Sequence, residues 1–214
     1  KICINKLDER RYLEMKQNNN WKWYMSRPNF LTSDECDELV ERIKNTEKGE
    51  QGCLDDHIGD DHNTDFRNVT EWYLHKDMRD YVVGDYSSLQ QKLFVAGKVC
   101  NQLSWNFNIQ EVENNMKMIE YLPGDFFTWH SDFNNGKSST RNLAMIIQLS
   151  DPKDYEGGST QLAIQDPKTL EFYEMPKEKG TLLVFCPLLF HRVTPVESGV
   201  RYCIQEFMLG DTFV

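Results

Sequence analysis

The chain is poor in several features that would direct it elsewhere. No apolar run approaches the roughly 18 residues of a membrane span, so no spanning helix and no membrane partner are expected. No signal-peptide pattern is visible. Bases are scarce, 24 against 34 acids, and the net charge of -10 disfavours a nucleic-acid partner, whose phosphates call for Lys and Arg. The six cysteines, at 3, 36, 53, 100, 186 and 203, form no CxxC pair. They read as buried thiols of a reducing compartment, with a cytoplasmic location expected, and not as a disulfide framework. No internal repeat or low-complexity tract is present. Histidine is sparse too: five in the chain, and two, His130 and His191, in the region where strands are expected.

What is there describes a folded protein. The 214 residues are 39% hydrophobic, 12% aromatic and 27% charged, enough for one large domain with a core. Residues 1–24 show no clean period. FLTSDECDELVERIKNTEKG reads as a helix capped by Thr32 or Ser33, with Leu39, Val40 and Ile43 as its apolar stripe and Gly49 after its end. A glycine-rich acidic stretch follows, and the loop expected at 50–66 is a candidate lid. It holds His57, His62, Asp55, Asp56, Asp60, Asp61 and Asp65 but lacks the DxDxDG register of a calcium loop. VTEWYLH fits a short strand or helix. DYSSLQQKLFVAGKVCNQLSWNF predicts a second helix, with Leu89, Leu93, Val99 and Leu103 at steps of four, six and four residues along one stripe.

From about residue 112 the pattern changes to short strands between turns. NMKMIEYL, FFTWHSD, RNLAMIIQLS, STQLAIQD, EFYEMPK, GTLLVFCP, LFHRVTPV and VRYCIQEFML are separated by turn signals such as PGD, NNGK, EGG and ESG. The expected fold is mostly β with N-terminal helices: a double-stranded β-helix, or cupin-like jelly roll, braced by helices on one sheet. Residues 1–111 are expected to support a core at 112–214 within one integrated domain.

Within TWHSDFNNGK, His130 and Asp132 lie two apart, which in a strand puts both side chains on one face. A rolled sheet could bring His191 of LLFHRVTPVESGVRY opposite them. Two neutral imidazoles and one carboxylate form the facial set suited to non-haem Fe(II), leaving positions open. Arg201 follows ten residues after His191 and shares a strand face with Cys203, Gln205 and Phe207. Pointing inward, its guanidinium would need an anion, and a carboxylate fits its fork.

HSD, YEGGSTQL and HRVTPVESGVR, in that order, resemble the iron(II)- and 2-oxoglutarate-dependent dioxygenases, and most closely the prolyl-4-hydroxylase-like branch with its HxD…HxVxPVxxGxR pattern. RNLAMIIQLSDPKDYEGG is similar to that branch's second core strand and GG turn. The resemblance covers about residues 112–210. It implies that His130, Asp132 and His191 hold the metal and that Arg201 pairs with the distal carboxylate of 2-oxoglutarate. It also implies that Tyr121 lines that pocket, with Ile146, Gln148, Thr160 and Val193 at its walls. Phe127 stands where many relatives carry tyrosine, Ala144 where Thr or Ser is common, and Phe207 where Trp is frequent.

The implied cofactors are Fe(II) and 2-oxoglutarate, with ascorbate as a reductant. The implied reaction is oxidative decarboxylation of 2-oxoglutarate to succinate and carbon dioxide, using dioxygen and coupled to hydroxylation of an unactivated C–H. A prolyl residue in a peptide or protein is the expected substrate, with Trp21, Trp23, Trp72 and Trp129 as candidate groove walls. The alternatives are a hydroxylase of a free amino acid or other small molecule, a non-catalytic metal-binding jelly roll, and a zinc hydrolase on the same ligands.

Overall fold

The computed structural model describes residues 21–52, 65–74, 88–133, 136–166 and 169–213. Fifteen strands and two α-helices are present among them: β1 (Tyr24–Arg27), α1 (Ser33–Thr46), β2 (Gly49–Gln51), β3 (Arg67–Asn68), β4 (Thr70–Tyr73), α2 (Leu89–Leu103), β5 (Ile109–Val112), β6 (Lys117–Tyr121), β7 (Phe126–His130), β8 (Arg141–Gln148), β9 (Tyr155–Gly157), β10 (Thr160–Asp166), β11 (Thr169–Glu174), β12 (Leu182–Phe185), β13 (His191–Val193), β14 (Val196–Gly199) and β15 (Arg201–Gly210). A 3₁₀ turn, Lys137–Thr140, leads into β8.

The strands form the two faces of a jelly roll. The larger sheet runs β1-β12-β8-β15-β6-β4-β2, with β5 also pairing β15. The smaller runs β11-β10-β13-β7-β3, and β14 pairs β9 in a ribbon of their own. All pairings are antiparallel.

Strand β8 shows why a continuous apolar run suits this position. All eight of its residues are buried. Leu143, Met145 and Ile147 join one core cluster with Leu39, Ile43, Leu89 and Leu93 of the helices, whereas Ala144 and Ile146 join another between the sheets. Period-two alternation thus divides one strand between a helix-facing core and the interior of the roll.

The two helices brace the larger sheet, and their ends follow local chemistry. Thr32 caps α1: its hydroxyl accepts from Glu35 N and the Glu35 carboxylate accepts from Thr32 N, a reciprocal capping box. Its buried face is Cys36, Leu39 and Ile43, with Val40 at the margin. Helix α2 departs from expectation. Leu89 and Leu93 are buried, but Val99 and Leu103 are 42% and 58% exposed. The buried face continues instead through Ala96, Gly97 and Cys100. A Cβ on Gly97 would lie 2.0 Å from the Met208 sulfur of β15, so small residues, not leucine, allow this close contact.

The N-terminal part is more β-rich than its sequence suggested. VTEWYLH yields a strand, and β2 and β3 occupy both ends of the stretch read as one acidic loop. His57, His62, Asp55, Asp56, Asp60 and Asp61 lie outside the described residues; Asp65 is described and exposed.

Candidate metal and co-substrate site

Strands β7 and β13 pair with His130 directly opposite His191. Asp132, two residues beyond, is anchored by its backbone N–H donating to Pro187 O at 3.0 Å. The three side chains converge: His130 Nε2 lies 3.5 Å from Asp132 Oδ1, and His191 Nε2 lies 3.3 Å from Asp132 Oδ2. The candidate ligand atoms all fall within 4.8 Å of one another. Ligand bonds of about 2.1 Å at right angles put donors about 3 Å apart, so this cluster fits one divalent ion.

The chemistry of the donors agrees. Nδ1 of His130 faces Thr128 O at 2.7 Å, and Nδ1 of His191 faces Leu189 O at 3.0 Å. Each Nδ1–H donates to a carbonyl, which leaves each Nε2 lone pair turned to the common centre. Asp132 Oδ2 is buried and accepts no well-aligned hydrogen bond, an orphan that a cation would satisfy. Burial opposes charge on Asp132, but His191 and His130 outweigh it and hold the carboxyl well below its usual range. Burial, followed by the neighbouring His191, pushes the His130 imidazole down toward its neutral form. Asp132 prevails over burial at His191 and raises it.

The same cavity contains Arg201. The cavity walls are formed by Ile119, Tyr121, Phe127, Ile146, Thr160, Val193, Cys203 and Gln205, together with His130 and His191. Arg201 is 1% exposed. Its Nη2 donates to Gln148 Oε1 at 3.1 Å and Thr160 Oγ1 at 3.0 Å. The Tyr121 ring lies 4.9 Å from the guanidinium carbon. Nε and Nη1 are buried without a partner. Among the described residues no carboxylate forms an ion pair with this cation. A buried guanidinium with two idle donors calls for an anion, and the carboxylate of a small dicarboxylic acid supplies one.

Local backbone makes room for it. Gly157 and Gly158, at φ +72° and +55°, form the GG turn. A Cβ on Gly158 would sit 3.2 Å from Arg201 Cδ and 2.9 Å from Val196 Cγ2. The turn therefore passes close over the arginine stem, in a left-handed conformation that favours glycine.

Every site residue named from the sequence is close to this cavity, with differences in role. Tyr121, Ile146, Thr160 and Val193 are on its wall. Gln148 is not; it stands behind Arg201 as a hydrogen-bond acceptor and donates onward to Pro176 O. Two of the candidate groove tryptophans face away. Trp72 packs against the helix-side core. Trp129 alternates with His130 and lies under Arg192 on the outer face of the smaller sheet, at 4.7 Å. The sequence reading missed Arg67, whose guanidinium lies 4.6 Å over the Phe127 ring; only its place one strand from β7 reveals it.

Comparison with known proteins agrees with this geometry. Residues 116–209 match the 2OG-Fe(II) oxygenase superfamily. A PKHD-type hydroxylase from Synechococcus sp. (strain CC9605) is 35% identical over 97 residues, 45% of this chain and 42% of that protein. The PKHD-type hydroxylase PiuC from Pseudomonas aeruginosa is 34% identical over 88 residues, 38% and 37% of the two chains. The chain thus spans well under half the length of these curated relatives. A Pseudomonas putida prolyl-4-hydroxylase superposes with a TM-score of 0.64 at 15% identity, covering 88% of this chain and 93% of that one. A Trichoplax adhaerens prolyl hydroxylase, solved with a hypoxia inducible factor oxygen degradation domain peptide fragment, gives 0.68 at 18% identity, covering 95% and 90%. The strand-rich segment 116–209, which contains all three candidate metal ligands and Arg201, matches the model of the 2OG-Fe(II) oxygenase superfamily, and the chain shares the jelly-roll fold of these two prolyl hydroxylase structures.

Proposed function

We propose that the chain is an iron(II)- and 2-oxoglutarate-dependent oxygenase that hydroxylates an unactivated C–H of a prolyl residue in a peptide or protein. One observation carries this reading: a buried arginine with idle donors shares a cavity with a two-imidazole, one-carboxylate cluster. His130, Asp132 and His191 would hold ferrous iron, which with 2-oxoglutarate and dioxygen supplies the oxidising power for the hydroxylation. Arg201 would bind the distal carboxylate of 2-oxoglutarate through Nε and Nη1, while Gln148 and Thr160 fix the guanidinium plane through Nη2. Tyr121 lies beside it, and burial pushes its phenol up so that it stays protonated and able to donate. Ile119, Ile146 and Val193 keep water from the space between the arginine and the metal ligands.

The prolyl assignment draws on the hydroxylase relatives and on the peptide held by the Trichoplax adhaerens protein. We also propose that residues 1–111 support 112–214 as one unit and that the chain works in a reducing cytoplasm. β1, β2 and β4 join the larger sheet, and Cys36, Cys100, Cys186 and Cys203 are free, buried thiols. No helix among the described residues is long and apolar enough to cross a membrane.

The test is succinate release from 2-oxoglutarate with ferrous iron and air, together with a peptide library read by mass for one added oxygen atom. Release with a prolyl peptide as the modified species is expected. Oxygen-independent hydrolysis with zinc, or oxygen added only to a free amino acid, would overturn the respective part of the proposal.

A further inference from the structure

Behind the metal ligands lies a second charged cluster. Arg67 and Glu71 are buried at 4% and 1% exposure and are ion-paired. Glu71 Oε1 also meets Lys117 Nζ at 2.6 Å, and Glu71 Oε2 accepts from the Tyr73 hydroxyl at 2.8 Å. The partners come from opposite sheets. Arg67 is on β3, which pairs with the ligand strand β7. Glu71 is on β4 and Lys117 on β6, both in the larger sheet. The ion pair therefore ties one wall of the roll to the other.

Arg67 also reaches a metal ligand through an aromatic ring. Its Cα is in register with Phe127, and its guanidinium carbon lies 4.6 Å from that ring's centroid. The Phe127 ring in turn stacks on the His130 imidazole, with centroids 3.4 Å apart and planes 13° from parallel. Guanidinium, benzene and imidazole are thus layered in order. Burial opposes charge on Arg67, but Glu71 first, then Tyr121, and also Asp132, hold it charged.

We propose that Arg67 is a positioning residue for His130. Its flat guanidinium presses Phe127 against the imidazole, and its ion pair with Glu71 fixes the layer stack relative to the opposite sheet. The Thr128 carbonyl sets which nitrogen of His130 is free, but one hydrogen bond leaves the ring able to rock about it; the stack restrains that motion. The inference rests on the metal-site reading above.

The test measures manganese(II) affinity of the whole chain by calorimetry, and the visible absorption of the cobalt(II) form, without turnover. Arg67→Met is expected to weaken manganese binding about 10- to 100-fold, as loss of groups that orient metal ligands does elsewhere, and to alter the cobalt spectrum. Arg67→Lys keeps the charge for Glu71 but lacks the flat, stackable head; it is expected to fold and still lose several-fold in affinity. Phe127→Leu should lose a similar amount. Arg67→Met combined with Phe127→Leu should be little worse than either alone, because both break one stack. Wild-type affinity in a folded Arg67→Lys or Arg67→Met chain, or losses that add in the double variant, would overturn the proposal. Should Arg67→Met fail to fold, Arg67→Lys and Phe127→Leu decide it. Absence of metal binding by the wild-type chain would instead remove the metal-site reading itself.

Discussion

Replacing Arg201 by methionine separates binding of the co-substrate from stability of the fold. Methionine keeps most of the apolar stem but removes Nε and Nη1, the two buried donors that have no partner within the protein, together with Nη2, which donates to Gln148 and Thr160. Two charge-assisted hydrogen bonds at about 1.5 kcal/mol each, the lower end of their range, give about 3 kcal/mol. That corresponds to roughly a 100-fold loss of affinity for 2-oxoglutarate. The assay is thermal unfolding in manganese(II), without oxygen, with and without the keto acid. At about 100 times its dissociation constant the ligand stabilises the wild-type chain by about 2.7 kcal/mol. For a domain of this size that is a rise of roughly 5–10 °C in Tm. At the same concentration the variant would sit near its own dissociation constant and gain only about 0.4 kcal/mol, roughly 1 °C. A keto acid without the second carboxylate should give a similar small shift in both proteins. An undiminished 2-oxoglutarate shift in Arg201→Met would refute the assignment of the guanidinium to the distal carboxylate.

The other expectations concern the metal, the buried ion cluster and the GG turn. His191→Ala removes one of two imidazoles and should leave the purified chain without stoichiometric iron by elemental analysis; unchanged iron content would break the ligand assignment. Burial opposes charge on Glu71, but Lys117 and Arg67 outweigh it and lower its pKa to about 2 from 4.5. A depressed carboxylate contributes stability above its unfolded value, and that contribution is lost as pH falls from about 4.5 toward 2, here about 3 kcal/mol. Glu71→Gln should therefore differ most from wild type near pH 6 and progressively less at pH 3, by urea unfolding; a gap that stays constant with pH would contradict this. Gly158→Ala meets both a left-handed φ of +55° and a contact with Arg201 Cδ. It should cost about 1–2 kcal/mol in stability and weaken 2-oxoglutarate binding, measured by the same thermal shift.

The strand region was legible because its signals are local and agree with one another. Turn residues divide it at regular intervals, and the period of two at His130 and Asp132, and again from Arg201 to Phe207, fixes which residues face inward. The burial of β8 on both faces follows from its unbroken apolar run. The misreadings share one cause: they depend on a partner the chain does not announce. In α2 the leucine and valine spacing pointed to one face, yet Met208 approaches Gly97 so closely that even a Cβ there would lie 2.0 Å from its sulfur. β2 and β3 are three and two residues long, too short to show a period, and exist because longer strands offer open edges. The family resemblance put Gln148 at the pocket wall; in the fold its Oε1 accepts from Arg201 Nη2.

Arg67 shows where sequence reading ends for this site. FRNVTEWY contains no pattern that links its arginine to TWHSD some sixty residues later. The link arises because residues 67–73 cross from the smaller sheet to the larger, carrying Arg67 beside the ligand strand and Glu71 into the opposite wall. Such a crossing brings a cation into the roll only if its counter-charge comes with it, because an unpaired buried arginine is costly. The two interior arginines thus have opposite logic. Arg67 carries its carboxylate four residues on, so its charge is balanced within the fold. Among the described residues Arg201 has no carboxylate beside it: neutral Gln148 and Thr160 accept from Nη2, neutral Tyr121 and Tyr155 lie against it, and Nε and Nη1 have no well-aligned partner. An arginine whose charge its own chain balances fixes geometry; one without a counter-charge selects a ligand, and the difference between them tells which end of this cavity is scaffold and which is binding site.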